Sequence, residues 1–135
     1  MNALDLANTV VRDRREVVDT LDRQLGLTPL RDAIRKLFDA AASGTAPPPN
    51  AVALVNGLAC APRLDWGSGG PALAPETPAA EAARTAVELV ASGRVHRCGN
   101  PRCVHFFVAG TRREYCSDSC ANRARVARHA ARRRQ

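Results

Sequence analysis

Cys98, Cys103, Cys116 and Cys120 are the residues of this chain best suited to do chemistry. They are spaced Cys-x4-Cys, then twelve residues, then Cys-x3-Cys. Two close thiol pairs separated by a hairpin-sized insert are what a closed tetrahedral zinc site needs. Four thiolates would fill the shell of one Zn²⁺ and leave no position for water, so the ion expected is structural and hydrolytic chemistry is disfavoured. Two disulfides or four unrelated thiols are the alternatives. Met1-Asn2-Ala3-Leu4-Asp5 lacks the basic and apolar regions of a signal peptide, so a cytoplasmic, reducing location is expected, where paired cysteines hold metal more often than they oxidise. His96, His105 and His129 are available as substitute ligands, but the cysteines already complete the shell. Cys60 has no local partner and reads as a small buried hydrophobe.

An arginine-rich segment follows the last cysteine. Of the formal charge of +7, residues 94–135 carry eleven arginines against Glu114 and Asp118, or +9, and residues 1–93 carry −2. One Zn²⁺ on four thiolates would add −2, leaving a strongly basic end on a near-neutral scaffold. Ser117 or Asp118 can cap a helix reaching about Arg133. At about 100° per residue, Asn122, Arg125, Arg128, His129 and Arg132 share one face. Cys120, Ala124, Val126, Ala127, Ala130 and Ala131 occupy much of the other, where they are expected to lie against another element. Arg123 projects into that apolar sector, so it is expected to bond finger carbonyls or an acid of the N-terminal part rather than a ligand. The residues left to meet a polyanion are Asn122, Arg125, Arg128, Arg132, Arg133 and Arg134.

The elements that must position these groups divide the chain in two. Within residues 94–135, Arg94–Cys98 predicts a short strand, Cys98–Cys103 a turn curled by Gly99, Asn100 and Pro101, and Val104–Val108 a second strand. Cys116 and Cys120, at i and i+4, put both sulfurs on one side of a starting helix. A knuckle, a hairpin and a ligand-bearing helix make a treble-clef-like zinc finger. Phe106, Phe107 and Tyr115 could stack bases, but in so small a module they are expected to be its core. About forty residues bury too little apolar surface alone, so metal must supply folding free energy.

Residues 1–93 read as a small helical domain, and the whole as mainly α. Helices are predicted over Leu4–Val11, over Val17–Leu25, from the Thr28-Pro29 cap to Gly44, over Ala51–Ala59 and from the Thr77-Pro78 cap to Gly93. Residues 64–73 predict either a hairpin or an open loop. The region has no histidine and no phosphate-cradling loop, and no catalytic constellation is visible, so the chain does not read as an enzyme. No apolar run can span a membrane.

The stretch Cys98-Gly99-Asn100-Pro101-Arg102-Cys103 … Tyr115-Cys116-Ser117-Asp118-Ser119-Cys120-Ala121-Asn122-Arg123 resembles the CGNR zinc finger. Leu4-Asp5-Leu6-Ala7-Asn8-Thr9 is similar to the opening Leu-Asp-Phe-x-Asn-Thr motif of the ABATE domain, that finger's usual N-terminal partner. Ala121 stands where the signature has glycine, and the last cysteine pair is separated by three residues rather than four. The resemblance assigns zinc to Cys98, Cys103, Cys116 and Cys120 and the signature to Cys120, Asn122 and Arg123. It implies a bacterial, stress-responsive transcriptional regulator whose finger binds DNA.

Three functions stay open on the residues. DNA binding uses the arginine face for phosphates, with Asn122 or Arg125 reaching base edges. RNA binding would use the same groups. A protein-binding finger is the third, because Tyr115-Cys116-Ser117-x-x-Cys120 is similar to peptide-holding MYND-type fingers and the helix could receive an acidic partner. A single short helix reads few base pairs, so a homodimer through residues 1–93 would extend the site.

Overall fold

A computed structural model of the chain describes residues 1–13, 16–21, 25–110 and 112–135, with no side-chain description for residue 13. Helix α1 (Ala3–Ala7) begins where the Asn2 side chain accepts from the Asp5 amide at 2.9 Å and ends at Asn8. The chain then forms β1 (Val10–Asp13) and β2 (Glu16–Asp19), paired antiparallel with Val10 opposite Asp19 and Val11 opposite Val18. Here the sequence prediction fails, because helices were expected to reach Val11 and to resume at Val17. Adjacent β-branched pairs, Val10-Val11 and Val17-Val18, satisfy helical spacing by count, but they restrict χ1 and pack better in a strand. Residues 22–24 of the second expected helix lie outside the described residues. Asp19 closes the hairpin onto the next helix through an ion pair with buried Arg31, which also meets Asp32.

The longer helices follow the sequence signals closely. Helix α2 (Thr28–Ser43) has Pro29 in its first turn and Gly44, at φ 66°, as its left-handed C-cap. Leu27 rather than Thr28 takes the N-cap position, without a side-chain bond. Helix α3 (Pro49–Leu58) starts on the last residue of the proline run, with Pro48 at the N-cap position. Helix α4 (Pro78–Ser92) opens on Thr77, whose hydroxyl accepts from the Ala80 amide at 3.1 Å, and closes on Gly93. Strands β3 (Leu64–Gly67) and β4 (Gly70–Leu73) pair antiparallel, which resolves the open choice for residues 64–73 as a hairpin. Its Leu64, Trp66 and Leu73 are exposed. At the C-terminal end come β5 (Val95–Arg97), β6 (Phe106–Val108) and α5 (Asp118–Arg133), with β5 and β6 antiparallel. Among the described residues no helix is long and apolar enough to cross a membrane.

One core joins the helices to the C-terminal hairpin. Leu6, Ile34, Phe38, Val55, Ala82, Ala83 and Ala86 are buried, and Val95 of β5 and Phe106 of β6 belong to the same cluster. Alanines on α4 bring its backbone close to α1, where the Ala3 amide donates to Thr85 Oγ1 at 2.7 Å. Phe106 is 1% exposed and meets Phe38 edge-on, with ring centroids 5.4 Å apart. Its backbone is held as a strand partner would hold it. Asn8 Nδ2 donates to the Phe106 carbonyl and the Phe106 amide donates to Asn8 Oδ1, both at 2.9 Å. Arg35 adds a second tie, donating to the carbonyls of Ala7 at 2.6 Å and Val104 at 2.9 Å with its guanidinium 5.0 Å from the Phe106 ring centroid. Arg97 of β5 pairs with Asp39 of α2.

Two substitutions test this junction in denaturant unfolding of the zinc-loaded chain. Phe106→Ala leaves a cavity in the shared core and is expected to cost about 3–5 kcal/mol. Asn8→Ala strands two backbone groups and is expected to cost about 1–3 kcal/mol. If both change stability by less than about 0.5 kcal/mol, the typical limit of a surface substitution, the hairpin is not anchored this way.

Candidate metal centre

The first cysteine pair sits on a loop tied at three points. Leaving β5, the Cys98 amide donates to the His105 carbonyl at 3.0 Å. The Cys103 amide donates to the Asn100 carbonyl at 2.9 Å, closing the turn. Between them the Gly99 amide donates to the Glu114 carbonyl at 2.7 Å, so the loop lies directly on the strand-like segment that leads to Cys116. A Cβ on residue 99 would fall 2.9 Å from that carbonyl oxygen, which is why a glycine stands there. Arg113 braces the same segment, donating through Nε to the Tyr115 carbonyl at 2.8 Å and through Nη2 to the Cys116 carbonyl. The second pair straddles the start of α5: Ser117 is the N-cap, its Oγ accepting from the Cys120 amide at 3.1 Å, and Cys120 lies in the first turn.

These ties bring the four sulfurs within 4.8 Å of one another. Cys98 and Cys120 are 3.4 Å apart, and Cys103 and Cys116 are 3.7 Å apart. Four ligands about 2.3 Å from a tetrahedral zinc stand roughly 3.8 Å from each other, so the arrangement fits the ion. Donors aim at the sulfurs as well: the Cys116 amide reaches Cys98 Sγ and the His105 amide reaches Cys103 Sγ, each at 3.5 Å. Asn100, 9% exposed, donates through Nδ2 to Cys120 Sγ at 3.3 Å while its Oδ1 accepts from the Arg102 amide at 3.1 Å. Sequence reasoning gave Asn100 only a turn-forming part. Its bond to a sulfur is what that reasoning missed, and the one signal was its place inside the Cys-x4-Cys loop.

The thiols respond differently to this setting. Burial opposes ionisation of Cys98, yet donation from the Cys116 and Asn100 amides and from neighbouring thiols carries it below the ordinary thiol range. Burial pushes Cys103 well above that range, and the adjacent Cys116 and Cys98 add to the rise. Cys116 is raised for the same first reason, burial, and by Cys98 and Cys120. Alone, the cluster favours thiolate at Cys98 and keeps protons at Cys103 and Cys116; a divalent cation is what would let the ligands ionise together. Zinc bound here would supply charge and rigidity, with Cys98, Cys103, Cys116 and Cys120 as its ligands.

The remaining sequence expectations sort themselves around this centre. His96, His105 and His129 lie outside the four-sulfur group. His96 stacks on Phe107, and burial together with nearby Arg35 lowers the His105 pKa. Phe106 and Phe107 are buried core, as expected for two of the three aromatics, while Tyr115 is half-buried. Cys60 is exposed rather than buried, because it falls in the loop that leaves α3 for the β3–β4 hairpin. Asn122, Arg125, Arg128, Arg132, Arg133 and Arg134 are all exposed on α5. Arg123 corrects the reading made of it: it too is exposed, and its guanidinium bonds no described residue. The expected packing of the alanine face is also confined to the helix start. Only Cys120 and Ala124 of α5 are buried, and Val126 is 60% exposed. Beyond Ala124, Ala127 and Ala131 border a groove with the Gly99–Arg102 loop and Tyr115, and Ala127 also lines a second cleft beside the cysteines.

Two family models match the chain. Residues 25–93 match ABATE, described as "Putative stress-induced transcription regulator", and residues 94–133 match the CGNR zinc finger. No curated protein matches the chain.

Metal titration checks the centre. Because the partly buried thiols of Cys103 and Cys116 hold protons above the ordinary range, binding must displace them, so zinc affinity should rise with pH by roughly tenfold per displaced proton for each pH unit. Competition with a chromophoric chelator at two pH values measures this. A pH-independent affinity would mean the thiols are not the ligands.

Proposed function

The chain belongs to the ABATE family and matches the CGNR zinc finger at its C-terminal end, and on that premise we propose that it is a zinc-dependent regulator that binds DNA through α5. The observation that carries this reading is the bare arginine helix on a rigid mount. Arg123, Arg125, Arg128, Arg132, Arg133 and Arg134 follow Asp118 with no intervening acid. Arg125, Arg128 and Arg132 are neighbours three and four residues apart, where like charges repel. A polyanion relieves that repulsion, and phosphate contacts would set affinity while Asn122 or Arg125 reaches base edges.

The shape of the helix supports duplex DNA in particular. Its alanines keep one side slim, and a major groove about 12 Å wide admits a helix. The ligand order, two cysteines from a knuckle and two from the start of a helix, is that of a treble clef, which holds α5 at its N-terminal end and leaves the rest projecting. Four thiolates complete a tetrahedral shell, so the reading is of a binding protein rather than an enzyme.

Binding of the zinc-loaded chain to duplex DNA, followed by fluorescence anisotropy across a salt series, tests the proposal. Four or five phosphate contacts from α5 give a log–log slope of about −4 or steeper. Arg125→Gln/Arg128→Gln should flatten it by about 1.8 and leave zinc content unchanged. Chelation of the metal should abolish binding. Salt-independent association, or displacement of DNA by RNA or by a polyanionic protein at far lower concentration, would overturn DNA as the target.

A further inference from the structure

A cleft of about 470 Å³ opens beside the sulfur centre, and arginines from three separate parts of the chain line it. Arg12 comes from β1, Arg102 from the loop between the first two cysteines, and Arg123 from α5. All three are exposed, and none bonds any described residue through its guanidinium. Several arginines elsewhere are engaged, Arg31, Arg84 and Arg97 by carboxylates and Arg35 and Arg113 by backbone carbonyls, whereas those of α5 are as free as the cleft's. Ser119, whose hydroxyl can donate to an oxyanion, shares the wall.

We propose that this cleft holds a backbone phosphate of the nucleic acid engaged by α5, so that the N-terminal hairpin forms part of the interface. The inference rests on the DNA-binding reading and extends it to residues outside the finger. Charge supports it. Three guanidiniums contribute +3 against −2 for one Zn²⁺ on four thiolates, so the cleft stays cationic with the metal in place. Continuity supports it too, since Arg123 and Ala127 belong both to the cleft wall and to α5, and a strand lying along the helix passes over the sulfur centre toward Arg12. A guanidinium fork suits a phosphate, whose oxygens accept two hydrogen bonds at once. The size is that of a site for a small molecule or a nucleotide unit.

Arg12→Gln, Arg102→Gln and Arg123→Gln remove no described bond, so the variants should fold and keep zinc. The test compares them with Arg63→Gln, an equal charge change on an exposed residue that lines no part of the cleft, and with Arg125→Gln/Arg128→Gln. The measurement is anisotropy of the full zinc-loaded chain on a short duplex over a salt series. Arg12→Gln is expected to weaken binding about threefold with only a partial loss of slope, because Arg102 and Arg123 still neutralise the shared phosphate. The triple variant, which strips that phosphate of all three guanidiniums, should flatten the slope by about 0.9. Arg63→Gln should leave the slope unchanged. If Arg12→Gln behaves like Arg63→Gln while the α5 pair still weakens binding, the interface ends at α5, and the cleft proposal falls with the DNA reading intact. If the unsubstituted chain does not bind DNA, both fall.

Discussion

Four sulfur atoms within 4.8 Å of one another, two of them buried, form an arrangement that a protein cannot hold cheaply alone. As thiolates they repel in a poorly solvated space; as thiols they leave weak, mismatched hydrogen bonds. A divalent cation removes the conflict. The surroundings are built for that outcome, with amides of Cys116 and His105 and the carboxamide of Asn100 pointed at the sulfurs. Three parts of the finger take their position from this centre: the first loop, the braced segment before Cys116, and the first turn of α5.

The finger is also not an appendage. Its hairpin lends Phe106 and Val95 to the core of the helices, and Asn8 pairs with Phe106 as a neighbouring strand would. Since Asn8 ends α1 and Arg35 sits mid-way along α2, a shift of either helix must be felt at β6, the strand that leaves the first cysteine loop. This gives residues 1–93 a mechanical route to the metal centre. It also places the β1–β2 hairpin beside the sulfur cluster, where Arg12 meets the cleft.

What could be read from the sequence follows how local each signal is. Helices α2, α4 and α5 were legible because caps, prolines and terminal glycines act within a few residues. The ligand set was legible because its spacing is itself the geometry. The β1–β2 hairpin was not: Val10, Val11, Val17 and Val18 fit either period, and the ion pair of Asp19 with Arg31 that secures the strand is a tertiary contact. Arg123 was misjudged because a helical wheel shows which side a residue occupies, not whether anything stands there. The alanine side of α5 is buried only as far as Ala124. Asn8 was visible as a motif residue, but its role depends on a partner 98 positions away.

X-ray absorption at the zinc edge, made on the purified full-length chain with metal content quantified in the same sample, tests the central claim most directly. The account requires one zinc per chain with four sulfur neighbours at about 2.3 Å and no nitrogen or oxygen in the shell. A chain that folds and is free of zinc, or an ion bound through imidazole or water, would contradict it.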